Sequence, residues 1–115
     1  MKKFLQAFVH AFHGIGYCFS RERNCMLHVL AAAVVTSAGF YFSISATEWL
    51  VVLLNIALVI SLEMLNTAIE HICNYVQPQY HPAIKTIKNV AAGAVLIAAM
   101  VALISACIIF VPKIF

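Results

Sequence analysis

Three stretches of this chain, residues 26–44, 49–75 and 86–111, are each long and apolar enough to cross about 30 Å of hydrocarbon as a helix rising about 1.5 Å per residue. No soluble domain of this length hides so much oily surface: 64% of the 115 residues are hydrophobic and only 10% are charged. The expected fold is an all-α membrane protein, a single domain over residues 1–115 with three transmembrane helices. The segment Ser43 to Glu48 is long enough only for a turn between the first two spans. Ser45 or Thr47 is placed to cap the second helix, with Glu48 as a solvated residue of its first turn. Pro82 suits the first turn of the third span, and Pro112 marks its expected end.

The N-terminus follows a different pattern. Phe4, Phe8, Phe12, Ile15 and Phe19 recur at helical spacing, with Gln6, His10, His13 and Ser20 largely elsewhere on the wheel. This predicts an amphipathic surface helix over residues 3–20. Lys2 and Lys3 lack the apolar core and the small-residue cleavage site of a signal peptide. Lys2, Lys3, Arg21 and Arg23 precede the first span and Lys85 and Lys88 follow the second, whereas the turn at residues 43–48 has no cation. The N-terminus and the segment from Gln77 to Lys88 are therefore expected on the cytoplasmic side. The net charge of +3 belongs to that asymmetry, and no nucleic-acid partner is expected.

Near its far end the second span admits polar residues. Glu63, Asn66 and Glu70 stand at i, i+3 and i+7, on one face of a helix. Ionisable groups at the rim of hydrocarbon cost at least about 2–3 kcal/mol each, so such a cluster reads first as a functional site. Counted from Trp49, the three lie about 20, 25 and 30 Å along the helix, from the head-group boundary into cytoplasmic water. One helix thus offers a carboxylate to a lipid hydroxyl and another to a soluble, metal-bound co-substrate. The bland alternative is a carboxylate paired with Lys or His of a neighbouring helix; for Glu22 it is a surface pair with Arg21 and Arg23.

The run Glu63-Met64-Leu65-Asn66-Thr67-Ala68-Ile69-Glu70 resembles the signature of the small prokaryotic integral-membrane diacylglycerol kinase family, which includes undecaprenol kinases. The likeness extends to Phe12 and Gly14, to Glu22-Arg23-Asn24, to Thr47-Glu48-Trp49, and to Pro78-x-Tyr80-His81-Pro82 leading to Lys88 and Ala91-Ala92-Gly93. The resemblance implies a homotrimeric enzyme of the bacterial cytoplasmic membrane that moves the γ-phosphate of ATP to a lipid alcohol, undecaprenol or diacylglycerol. By position it implies Glu63 as general base supported by Asn66, and Glu22 and Glu70 as ligands of Mg²⁺. Lys88 would meet the ATP phosphates, and Gly14 would let a substrate approach the backbone. No G-x-x-x-x-G-K-[ST] loop is present, so nucleotide would be held without that cradle.

The chain departs from the family pattern at Asn74 and Asn89, where Asp is usual; it has no aspartate at all. An amide keeps hydrogen bonds to sugar hydroxyls or a lysine but gives up metal binding and charge pairing. The second reading is accordingly an impaired or non-catalytic member that binds lipid or a partner. The spacings Cys25-x-x-His28 and His71-x-Cys73 do not supply four convergent zinc ligands. The cysteines read as small apolar residues rather than disulfides. The stripe of Ala91, Ala94, Ala98, Ala102 and Ala106 reads as a surface for close helix contact.

Overall fold

The computed structural model describes all 115 residues, Met1–Phe115, as four helices: α1 (Lys2–Arg21), α2 (Arg23–Tyr41), α3 (Ala46–Val76) and α4 (Pro82–Ile114). The last three are long and apolar enough to cross a membrane. α4 lies mainly along α3, α2 packs on α3, and α1 leans on α2. The protomer measures 51 × 42 × 20 Å, and its short dimension is about two helix diameters. A slab that thin has little interior, so only 14 residues are buried and most large apolar side chains face outward.

One residue makes the corner between α1 and α2. Glu22 leaves the helical region (φ −103°, ψ 116°), donates its N–H to the Cys18 carbonyl and accepts at its own carbonyl from the Met26 N–H. It therefore closes α1 and starts α2. Cys18 and Cys25, both buried, are joined across this corner by a disulfide, which corrects the expectation of free, small apolar residues. On a straight helix their Cα atoms would stand about 10 Å apart. The break at Glu22 brings them to 5.9 Å, within the range a disulfide spans.

The opposite end of the bundle is tied more tightly than its sequence indicates. α2 stops at Tyr41, Ser43 takes a left-handed conformation (φ 50°), and the Ile44 N–H returns to the Gly39 carbonyl. Ser45 then caps α3: its Oγ accepts from the Glu48 N–H at 3.2 Å, and its N–H donates to Glu48 Oε1 at 2.9 Å. Glu48 is more than the solvated residue expected, because its Oε2 accepts from Lys113 Nζ at 2.9 Å and so joins the start of α3 to the end of α4. α4 also runs through Pro112 to Ile114 rather than ending there. The Phe115 N–H to Val111 carbonyl bond and the Lys113 tie hold its last turn. At its other end α4 starts at Pro82, with His81 Nδ1 accepting from the Ala83 N–H at 3.1 Å.

Beside the Glu48 tie lies the apolar core, Ile44, Val52, Ile109 and Phe110, flanked by Trp49 and Phe42. Gly39 makes this junction possible. A Cβ there would stand 2.7 Å from Trp49 Cη2 and 2.9 Å from Cζ2, so the half-buried indole, rigid as a ring, would have to shift. Gly39→Ala is expected to cost about 1–3 kcal/mol through overpacking, read as a lowered unfolding temperature in detergent or bilayer.

Candidate active site

The C-terminal half of α3, the α1–α2 corner and the start of α4 meet at one end of the molecule. Glu63 is 3% exposed, although it carries a carboxylate. Its partner comes from α2: His28 Nε2 stands 3.5 Å from Glu63 Oε2, an ion-pair separation longer than a hydrogen bond. Asn66 and Thr67, the next polar residues on that face, are also buried. Asn66 Nδ2 donates to Glu70 Oε1 at 3.3 Å, so the amide lies between the deep carboxylate and the half-exposed one. Its Oδ1 is buried and has no hydrogen-bond partner.

Glu22 does not pair with Arg21 or Arg23, the surface pair sequence reasoning held open. Its Oε1 meets His71 Nε2 at 2.9 Å, forty-nine positions away, and the Tyr17 ring packs edge-on against the His71 ring. Arg21 instead lies over the Tyr17 ring, its Cζ 5.8 Å from the centroid. Glu22 thus reaches across from the α1–α2 corner to α3 at His71, while Glu70 is held by Asn66 on α3 itself. On α4, Lys88 Nζ donates to Asn74 Oδ1 at 2.6 Å, the bond to lysine that an amide retains in place of a carboxylate. Asn89 and Gly14 are exposed, and a Cβ at Gly14 would meet nothing within 4 Å.

Glu22, Glu70 and the unpartnered Asn66 Oδ1 are hard oxygen donors. No three histidine, cysteine or acidic side chains of the protomer converge tightly enough to cage a metal. One or two carboxylates, with the other positions open to water and phosphate, are what Mg²⁺ takes in nucleotide sites, so the donor set fits that ion. On the N-terminal side of Glu63 along α3, an apolar cavity of about 260 Å³ opens between α2, α3 and α4. Val35, Val59 and Leu103 help line it, and His28 stands in its wall.

His28 and His71 gave sequence reasoning little to hold. Each attracted notice only as half of a metal spacing, and the signal that could have found them is a histidine on the helix facing an isolated membrane carboxylate. Thr67 is missed for a simpler reason: inside the E-x-x-N-T-A-I-E run it reads as one more helix-former.

Comparison with known proteins gives a consistent picture. The sequence profile described as "Prokaryotic diacylglycerol kinase" matches residues 9–110. The chain is 41% identical over 113 residues to an undecaprenol kinase of Bacillus subtilis, covering 98% of this chain and 92% of that protein. It is 36% identical over 110 residues to a diacylglycerol kinase of Synechocystis sp., covering 94% of this chain and 63% of that one.

The orphaned amide oxygen yields a stability test. A buried carbonyl without a partner carries a desolvation penalty of about 1–3 kcal/mol, and the Glu70 that would lose the Asn66 donor is half-exposed, so water can replace that donor. Asn66→Leu is expected to leave the unfolding temperature unchanged or raise it. A residue kept for packing would show a clear fall.

Proposed function

Since the chain belongs to the prokaryotic diacylglycerol kinase family and is a lipid kinase, we propose that it transfers the γ-phosphate of ATP to the primary hydroxyl of a membrane alcohol, undecaprenol ahead of diacylglycerol. The observation that carries this reading is the buried Glu63: a carboxylate on a membrane-crossing helix, between an apolar cavity and a polar cluster. The match over nearly the whole length of an undecaprenol kinase supports the choice of acceptor.

In this mechanism Glu63 accepts the hydroxyl proton as the lipid oxygen attacks the γ-phosphorus, and the bond to the β–γ bridging oxygen breaks to release ADP. Phosphoryl transfer asks chiefly for alignment and charge stabilisation. Lys88, beside Asn74, supplies a cation to the phosphates, Asn66 orients the carboxylates, and Gly14 on α1 leaves room for the nucleotide. Glu22 and Glu70 would hold Mg²⁺, whose contribution is to neutralise charge on the phosphate oxygens. Asn89 borders Lys88 and would contribute hydrogen bonds to the nucleotide.

Arg21, Arg23, Lys85 and Lys88 flank this end of the bundle, while Lys113 at the other end is paired with Glu48. That asymmetry supports a cytoplasmic N-terminus and a site facing cytoplasmic ATP in the bacterial inner membrane. The exposed Phe4, Leu5, Phe8 and Phe12 of α1 suit a helix lying in the head-group layer. A homotrimer would cover the outward apolar faces of so thin a protomer and complete the site between neighbours.

A second reading rests on Asn74 and Asn89: a member that binds lipid or a partner without turnover. One assay separates the two, phosphate transfer from labelled ATP with Mg²⁺ to undecaprenol and to diacylglycerol by the full chain in bilayers. Transfer that falls about 10²–10⁴-fold in Glu63→Gln, with the protein still folded, is expected of the kinase. A silent native chain that gains activity as Asn89→Asp would establish the second reading.

A further inference from the structure

Nothing in the scheme above uses the imidazole that faces the base. Lys88 and Lys113 are committed to Asn74 and Glu48, and Asn66 spends its amide N–H on Glu70. Across the helix interface the imidazole of His28, with Nε2 3.5 Å from Oε2, balances the charge of the Glu63 carboxylate, and the Asn24 amide of the same helix stands beside that carboxylate. The same ring stands in the wall of the apolar cavity between α2, α3 and α4. It therefore touches both the space fit for a lipid chain and the carboxylate that meets the hydroxyl.

Resting on the kinase reading, we infer that His28 is a positioning residue for Glu63. From α2 its Nε2–H holds Oε2 of the carboxylate, closing from 3.5 Å to hydrogen-bond distance when the acceptor lipid arrives, and leaves Oε1 directed at the hydroxyl. The hydroxyl proton passes to Oε1 as the new P–O bond forms; His28 keeps its own proton throughout. Without this tie the carboxylate is left to the neutral amides of Asn66 and Asn24, with no cation or imidazole to fix which oxygen meets the hydroxyl. The groups around the pair are few. On α3 they are Glu70, Asn66 and Asn55, the last donating to its own Val51 carbonyl, and on α2 the Asn24 amide. α4 presents Ala99, Ala102 and Leu103 at the cavity wall, none of them titratable. Tyr17 of α1 and Glu22 at the corner turn to His71 instead.

The test uses the full chain in bilayers, with steady-state transfer to the acceptor lipid measured for the native protein, His28→Leu and His28→Gln. His28→Leu is expected to lose about 10–100-fold in kcat while the lipid KM stays within about twofold, the signature of an interaction needed in the transition state. His28→Gln, whose amide N–H reaches a similar place, is expected to recover most of the loss. A readout free of turnover accompanies it: the ¹⁵N-imidazole chemical shifts of His28, recorded by NMR at a single pH in the native chain and in Glu63→Gln, are expected to differ between the two. Native kcat in His28→Leu, a loss confined to KM, or His28 imidazole chemical shifts indifferent to Glu63→Gln overturns the inference. A native chain that transfers no phosphate overturns the kinase reading itself and this inference with it.

Discussion

Hydrocarbon offers no hydrogen bonds, so each backbone N–H and C=O along α2, α3 and α4 must find its partner within its own helix. Of 96 backbone hydrogen bonds, 86 lie inside the four helices, which confines irregular backbone to three short junctions. Each junction is closed by its own polar device: Glu22 serving two helices at once, the Ser45–Glu48 capping box, and His81 ahead of Pro82. Polar side chains collect at the same places, because only there does water or an exposed peptide group exist to meet them. The candidate site is one such place, enlarged.

What distinguishes it is that polar groups continue inward from the junction, along α3 from Asn74 through Glu70 and Asn66 to Glu63. Exposure falls along that series, from open at Asn74 to 3% at Glu63. A charge taken that far from water is costly, and the protomer compensates it sparsely, with a histidine at ion-pair distance and an amide whose oxygen is left over. Incomplete satisfaction of this kind is tolerated where the missing partners arrive with a substrate. The far end of the bundle is the opposite case: there the Glu48–Lys113 pair and the capping box leave the polar groups matched.

Much of this was legible in the chain because it is written locally. Apolar runs of nineteen residues or more announce helices that cross a membrane, Ser45 and Pro82 mark helix starts within a few residues, and Glu63, Asn66 and Glu70 declare a shared face through their spacing. What escaped depends on distance or on bending. Glu48 meets Lys113 across 65 positions and Glu22 meets His71 across 49, and no periodicity connects residues so far apart. The Cys18–Cys25 pairing needed the one-residue corner, since on a continuous helix the two share a face but stand about 10 Å apart, too far for a disulfide. Pro112 misled because proline usually ends a helix, yet one so close to the terminus forfeits little when the last turn is held by other bonds.

α3 runs unbroken for 31 residues, about 46 Å, well beyond the hydrocarbon it must cross. Glu63 and Glu70 ride on the same rod about 10 Å apart along its axis, and no loop intervenes to adjust their separation. In the proposed reaction the heights at which Glu63 and Glu70 would meet a lipid head and a water-borne group are thus fixed by helical rise, while the height of the lipid head is fixed by the bilayer. Thickening or thinning the surrounding membrane would slide one scale against the other. The rod acts as a ruler, and with Glu63 as the proposed base, membrane thickness would become a determinant of which alcohols come within reach.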